Sequence, residues 1–298
     1  MNKIFVSGLL NIETTLKVDS FPIAYSPIEY PFYGVNTSIS GVGYNIAKAL
    51  TTLGENISLY SVIGDDGHGY LIREVLKKEG IKTSNIIIDD STAESVVIYD
   101  KDGMRKIYCD LKNLQDINPF AHPEECIPHP NDYSIAVITN INFNRPLLHF
   151  FKEHGVTSAT DVHILGDVNE AYSQEFMSYA DLLFLSNEAI KDKEADFARQ
   201  LYNKFHNRLI VIGCGSEGAL AYIGESDTFI YEKAVAPLGI VNTVGAGDAL
   251  FSCFLHFYNK GYDVPSCLKH AVTFAGLKIS VSGGAKGFFS EETLKKYL

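Results

Sequence analysis

The chain has 298 residues, enough for one large α/β domain or two smaller ones, and 46% of them are hydrophobic. Lysine and arginine total 25 against 36 aspartates and glutamates, a formal net charge of −11. Because nucleic acids and anionic membranes attract basic surfaces, an acidic chain without a basic tract is expected to bind neither.

The cellular setting follows from two further features of the sequence. No apolar run reaches the roughly 18 residues that span a bilayer, and the N-terminus enters a strand pattern without a secretory signal. The five cysteines are odd in number and widely spaced, and no Cys-x-x-Cys occurs. This is the pattern of a reduced protein, so we expect a cytoplasmic location.

Short apolar runs alternate with amphipathic stretches along the whole chain. The predicted strands are 4–6, 57–63, 135–138, 181–185 and 209–212. The predicted helices are 42–53, 70–79 and 145–154, each closed by a glycine at the C-cap. Strand–helix alternation with short connections predicts one α/β domain over 1–298, with a central, mainly parallel sheet.

Two segments, about 14–40 and 91–114, break this alternation. The first carries several prolines without a helical period, and the second has two β-rich runs, 95–99 and 105–108, separated by Asp102-Gly103. Asp-Gly between such runs is typical of a hairpin. Together the two segments predict a small β-sheet lid over the end of the main sheet.

The strongest chemical motif is the run 242–251, where Gly245, Ala246 and Gly247 precede Asp248 and an apolar helix. Small residues at a helix N-terminus let free backbone N–H groups approach an anion. A carboxylate beside that anion site suits a general base that takes a proton from a hydroxyl during phosphoryl transfer. The same residue types also occur as ordinary helix caps.

A second glycine motif, 40–47, opens the first long helix. A dinucleotide-binding turn would need a third glycine where Ile46 stands, and it would follow the first strand directly. Both conditions fail, which argues against a Rossmann dehydrogenase. Gly41, Gly43 and Asn45 therefore need another explanation.

The run 243–251, Thr-x-Gly-Ala-Gly-Asp-Ala-x-Phe, resembles the C-terminal signature of the ribokinase-like, or pfkB, carbohydrate kinases. Gly41, Gly43 and Asn45 match the family's sugar-binding Gly-Gly-x-x-x-Asn, with Ser40 in place of the first glycine. The resemblance implies a ribokinase-like three-layer α/β/α domain with a β-sheet lid, and ATP and Mg²⁺ as cofactors. It also implies a homodimer, because lids of this family often pair between subunits.

The resemblance assigns roles to further residues. Glu13 stands where the family has an aspartate that grips two hydroxyls, and Asn142 stands where many sugar-specific relatives have a glutamate. Asn187 matches the first residue of an Asn-x-x-Glu motif, but its fourth position is Ile190, and Glu188 is adjacent instead. The residues implied for ATP are Asn187, Gly213, Gly215, Gly218 and Thr273, and the resemblance also implies that the last core helix ends at 283–285.

One departure concerns a monovalent cation. The family's signature usually begins with an aspartate that binds such a cation, and here it is Asn242. A neutral amide is a weaker cation ligand than a carboxylate. Activation by K⁺ is therefore doubtful, with the Asn242 side chain and the Val244 carbonyl as the remaining candidate ligands.

These observations predict an ATP-dependent phosphotransferase acting on a small, unphosphorylated sugar or nucleoside. Between residues 7 and 45, Lys17 is the only basic residue, and at most one of Arg105 and Lys106 would face the pocket, too few to hold a phosphorylated acceptor. A nucleoside such as pseudouridine and a sugar such as ribose or fructose both remain open. The competing class is a non-catalytic sugar or nucleotide sensor.

Overall fold

The computed structural model describes residues 3–101 and 104–298. The strands are β1 Lys3–Ser7, β2 Asn11–Lys17, β3 Val35–Ser40, β4 Ile57–Gly64, β5 Ile86–Asp89, β6 Ala93–Tyr99, β7 Arg105–Asp110, β8 Tyr133–Ile138, β9 Thr157–Ile164, β10 Leu182–Ser186, β11 Leu209–Gly213, β12 Gly218–Ile223 and β13 Thr228–Lys233. The helices are α1 Val42–Thr52, α2 Gly67–Lys78, α3 Pro123–Cys126, α4 Arg145–Glu153, α5 Gln174–Tyr179, α6 Glu194–Phe205, α7 Ala246–Asn259, α8 Val264–Lys278 and α9 Glu291–Leu294.

The large sheet has nine strands in the order β13-β12-β11-β10-β9-β8-β1-β4-β5. The seven strands from β11 to β5 pair in parallel, and β12 and β13 add antiparallel at one edge. Successive side chains of a strand point to opposite faces. Ile4 and Val6 accordingly pack under α1, α2, α7 and α8, while Phe5 packs on the opposite side with α4, α5 and α6. These two apolar cores make the three-layer α/β/α architecture.

A second sheet of four strands, in the order β3-β2-β6-β7, forms the predicted lid. Strands β6 and β7 pair antiparallel as expected, whereas β2 and β6 pair in parallel. The Asp102-Gly103 turn lies outside the described residues. The lid sheet begins at Asn11, slightly before the predicted segment, and residues 18–34 contain no strand. Three residues separate β1 from β2 and Gly41 alone separates β3 from α1, so the lid is tied directly to the main domain.

Several boundaries differ from the sequence prediction. Helix α2 starts at Gly67, because the Asp66 side chain caps it by accepting a hydrogen bond from the Gly69 N–H at 2.7 Å. The last core helix was expected to reach 283–285, but α8 ends at Lys278. Strands β5, β9, β12 and β13 and helices α3, α5, α6 and α9 were not predicted. Among the described residues, no helix is long and apolar enough to cross a bilayer.

Candidate active site

The N-terminus of α7 forms a turn with free backbone donors. Gly245 is the N-cap with φ +81°, and a β-carbon there would lie 2.3 Å from the Gly284 carbonyl oxygen, so only glycine fits. The N–H groups of Gly245, Gly247 and Asp248 have no acceptor within residues 3–101 and 104–298. A β-carbon on Gly247 would meet open space. This turn can therefore receive an anion. The Ala246 N–H, which was also predicted to face the anion, instead donates to the Thr243 carbonyl at 3.2 Å.

Asp248 lies on the first turn of α7 and contacts the other glycine motif. Its Oδ2 accepts a hydrogen bond from Asn45 Nδ2 at 2.6 Å. Burial raises the pKa of the Asp248 carboxyl to about 6. A carboxylate with a pKa near 6 is a better proton acceptor than an ordinary one and is still ionised at neutral pH.

The acceptor side of the site is built where the lid meets α1. Glu13 on β2 is buried, and its Oε2 accepts a hydrogen bond from Ser40 Oγ at 3.3 Å. Gly41 is the N-cap of α1 with φ +102°, and the Gly43 N–H donates to the Leu9 carbonyl at 3.0 Å. Burial raises the pKa of Glu13, which the Ser40 hydrogen bond partly opposes.

The same cluster includes the loop 283–285 that follows α8. A β-carbon on Gly284 would lie 3.2 Å from both Asn45 Nδ2 and Ser40 Oγ. Asn45 is buried, and its Oδ1 has no hydrogen-bond partner among the described residues. Asn45 can therefore accept a hydrogen bond from a bound hydroxyl while its amide nitrogen holds Asp248.

Three titratable residues near Asp248 were not anticipated from the sequence. Asp161 and His163, on β9, act electrostatically on the Asp248 carboxyl, the first raising its pKa and the second lowering it. His163 has φ +60° next to a register irregularity between β9 and β10, and its N–H donates to Asp161 Oδ1 at 2.8 Å. Lys278, at the end of α8, is fully buried and also lowers the Asp248 pKa.

A second group of side chains lies at the carboxyl ends of β10 and β11. Asn187 Nδ2 donates to Glu194 Oε1 at 2.7 Å, so a glutamate does accompany this asparagine, seven positions on rather than three. Burial alone would raise the pKa of Glu194, but the hydrogen bonds from Asn187 and from backbone N–H groups outweigh it and lower that pKa. The pKa of Cys214 is raised mainly by burial and next by the charge of Glu194. Glu194 therefore lies near the 213–218 turn.

The remaining predicted nucleotide residues have packing contacts of their own. Gly213 ends β11, and a β-carbon there would lie 3.7 Å from the Leu250 side chain of α7. Gly215 begins a single 3₁₀ turn, and Gly218 begins β12, where the Glu232 carbonyl leaves no room for a side chain. Thr273 is buried on α8, and its hydroxyl donates to the Lys269 carbonyl at 2.9 Å.

Asn142 makes its contacts elsewhere. Its Nδ2 donates to the Gln115 carbonyl at 3.0 Å, and its Oδ1 accepts from Arg145 Nε at 3.0 Å. Both ends of the amide thus hold neighbouring protein groups together, and no direct hydrogen bond links Asn142 to Asn45 or Asp248 within the described residues.

The two groups of side chains, one around Asp248 and one around Asn187, share an edge of the α/β/α sheet that the lid adjoins. A buried carboxylate beside a helix N-terminus with unpaired N–H donors is an arrangement that suits phosphoryl transfer to an alcohol. The pfkB family carbohydrate kinase profile matches residues 1–290, and the chain belongs to this family. It is a carbohydrate or nucleoside kinase, and the predicted fold is confirmed.

The chain is similar to several known kinases along nearly its whole length. It is 25% identical to acarbose 7(IV)-phosphotransferase of Actinoplanes sp. over 90% of this chain and 88% of the relative. It is 27% identical to ATP-dependent ribose-1-phosphate kinase of Halopiger xanaduensis over 91% and 90% of the two chains. The structure of the microbiome-derived acarbose kinase Mak1 superposes with a TM-score of 0.88, covering 99% and 98% of the chains at 22% identity.

Proposed function

We propose that this kinase transfers the γ-phosphoryl group of ATP to a hydroxyl of a small, unphosphorylated sugar or nucleoside. Asp248 takes the proton of that hydroxyl, and the unpaired N–H groups of Gly245 and Gly247 stabilise the charge on the transferring phosphoryl group. The observation that carries the proposal is the 2.6 Å hydrogen bond from Asn45 to Asp248, because it joins the acceptor-side motif to the base. A non-catalytic sensor would not need this arrangement.

ATP is assigned to the edge formed by the 213–218 turn, Asn187 and Thr273. Mg²⁺ prefers a few carboxylate ligands together with water and phosphate oxygens. The Asn187–Glu194 pair fits that preference, because the amide fixes a carboxylate whose lowered pKa keeps it ionised. We therefore assign Glu194 to the Mg²⁺–ATP complex, in the role for which the sequence offered only Glu188.

The charge around the acceptor favours an unphosphorylated compound. Asp248 interacts electrostatically with Asp161 and with the buried ammonium of Lys278, and Lys278 also interacts with Glu13. Three carboxyl groups thus surround one ammonium. A phosphate group placed among them would meet more negative than positive charge. Glu13 and Asn45 can instead bind hydroxyls, whereas the Gly43 N–H is already donated to the Leu9 carbonyl and Gly43 allows close packing against Gly8.

Two observations favour a different acceptor. Glu13 is paired with Ser95, and Ser95 is paired with Cys109, so these three side chains lie on one face of the lid. Arg105 is four residues from Cys109 on the same strand and therefore lies on that face, where it could contact an anion. Tyr25, Phe32 and Tyr33 in the 18–34 loop are at least 86% exposed and offer flat surfaces on which further sugar rings could stack. These features would suit a sugar phosphate and a longer oligosaccharide, respectively.

A coupled assay of ADP release, with the purified chain, ATP and Mg²⁺, identifies the phosphate acceptor. The panel contains ribose, fructose, common nucleosides, pseudouridine, ribose 1-phosphate, fructose phosphates and acarbose, and Asp248→Asn supplies the background rate. We expect the highest kcat/KM for a free sugar or a nucleoside. A preference for a sugar phosphate or for acarbose would overturn the acceptor assignment, and no turnover with any acceptor would favour the sensor.

A further inference from the structure

Lys278 is a buried lysine whose charge has no adjacent carboxylate. Its side chain is fully buried at the last residue of α8, and its Nζ donates a hydrogen bond to the Val244 carbonyl at 2.8 Å. No carboxylate oxygen lies within 4.0 Å of this ammonium in the described part of the chain. A buried ammonium is costly unless nearby groups compensate it, so its position requires an explanation.

The compensation comes from the active site. Burial lowers the pKa of Lys278 to about 8, and the charges of Asp248 and Glu13 limit the decrease. The lysine is therefore mainly protonated at neutral pH. The ammonium thus lies behind the anion-binding turn, where it adds positive charge close to the base and to the acceptor.

The hydrogen bond to Val244 also orients the turn. In a trans peptide unit, the C=O of one residue and the N–H of the next point in opposite directions. The unit between Val244 and Gly245 has its carbonyl held by Lys278, so the Gly245 N–H points away from Lys278. That N–H is one of the unpaired donors at the start of α7.

The groups expected to bind a monovalent cation are already engaged. The Val244 carbonyl accepts from Lys278, and Asn242 Oδ1 accepts from the Val244 N–H at 2.7 Å. Asn242 also lacks the negative charge that would offset a cation. The residues present therefore do not fit a bound K⁺.

We propose that the Lys278 ammonium replaces this monovalent cation and makes the kinase independent of K⁺. Lys278 acts as a positioning residue: it holds the Val244–Gly245 peptide so that its N–H faces the transferring phosphoryl group. This inference rests on the proposed function, since it assigns the phosphoryl group to the turn that begins α7.

The first test compares the wild-type chain in K⁺ with the same chain in tetramethylammonium at equal ionic strength. We expect kcat to agree within about twofold and the melting temperature to be unchanged. Activation by K⁺ of tenfold or more, or a K⁺-specific rise in melting temperature, would overturn the proposal. The melting temperature separates this idea from the proposed function, because it needs no acceptor.

The second test uses Lys278→Met, with Lys269→Met as a matched control on the exposed side of the same helix. Loss of an oriented donor should lower kcat about 100-fold with little change in the acceptor KM, while Lys269→Met retains wild-type kcat. The double variant Asn242→Asp/Lys278→Met should recover activity, and gain melting temperature, only in K⁺. A single variant with unchanged kcat, or a double variant indifferent to K⁺, would count against Lys278. If Lys278→Met does not fold, the wild-type comparison still decides.

Discussion

Asn187 donates a 2.7 Å hydrogen bond to the carboxylate of Glu194, across a 3₁₀ turn and the start of α6. The sequence places a glutamate, Glu188, immediately after Asn187, yet that residue is exposed. The fold thus selects the more distant glutamate as the partner of the asparagine, and this choice can be tested directly.

Glu194→Gln should raise the apparent KM for Mg²⁺–ATP and lower kcat, because an amide cannot replace a carboxylate near a divalent cation. Glu188→Gln is the matched control and should behave as the wild type. Steady-state kinetics at varied Mg²⁺ give both constants. Equal effects of the two substitutions would remove the assignment of Glu194.

Asp248→Asn should lower kcat by about 100- to 10,000-fold, since the amide keeps the shape of the side chain but cannot accept a proton. Binding of ATP, measured by calorimetry, and the melting temperature should change little. Asp132→Asn, at an exposed aspartate, is the control. If Asp248→Asn kept a tenth of the wild-type turnover, Asp248 would not be the base.

The rate should depend on pH with two limbs. The proposed base, Asp248, must be unprotonated, so kcat/KM should rise as pH increases through about 6. The proposed role of Lys278 needs its ammonium form, so kcat/KM should fall above about pH 8. Because these groups interact, the apparent pKa values describe the site as a whole. A rate profile from pH 5 to 9.5, with folding followed by circular dichroism, measures both limbs; a flat profile below pH 7 would exclude the assigned base.

Gly245→Val should impair phosphoryl transfer, because the side chain would meet the Gly284 carbonyl and the backbone has φ +81°. Gly261→Val separates the two causes, since Gly261 has φ +80° but nothing within 4 Å of its β-carbon position. Both variants should lose about 1–2 kcal/mol of stability from the left-handed backbone. Only Gly245→Val should also lose kcat, about 100-fold or more; equal kcat values would argue against the anion site.

We predict that the chain forms a homodimer through the lid. Strand β7 is exposed along its whole length, and Val96 and Tyr108, which pair across β6 and β7, are 40% and 52% exposed. An exposed apolar edge of this kind favours pairing with a second copy. Light scattering should give twice the chain mass, and Tyr108→Asp should yield a monomer, whereas Tyr70→Asp, at an exposed tyrosine of α2, should not. A monomeric wild type would refute the prediction.

The sequence predicted the strands and helices that carry a strong local pattern. Short apolar runs form β1, β4, β8, β10 and β11. Helices α1 and α4 are amphipathic, and a glycine follows the C-terminus of each. Strand β9 was missed because it begins with the small and polar residues of 157–161, which resemble a loop. Helix α6 was missed although only half of its residues are polar and Phe197, Ala198 and Leu201 form a buried apolar face at helical spacing.

The candidate site divides in the same way. The Gly245–Asp248 turn and Asn45 were found because each belongs to a local motif. Lys278 was missed because a lysine in the last turn of a helix is usually a solvated residue that offsets the helix dipole. Only the packing of α8 against the 242–245 segment buries it. Glu194 was missed because a glutamate was expected three residues after Asn187, whereas the glutamate that binds Asn187 is seven residues after it.

The long separation along the chain of the paired site residues has a consequence for folding. Asn45 and Asp248 are 203 residues apart. The lid strands β2 and β6 are also distant in the chain, because their paired residues begin at Asn11 and Ala93. Contacts between distant residues carry the cost of closing a long loop, so they form late. During synthesis Asn45 must therefore wait for nearly the whole chain before it meets Asp248. A chain truncated before α7 would contain every strand of both sheets but would lack Asp248 and the two helices, α7 and α8, that cover one face of the large sheet.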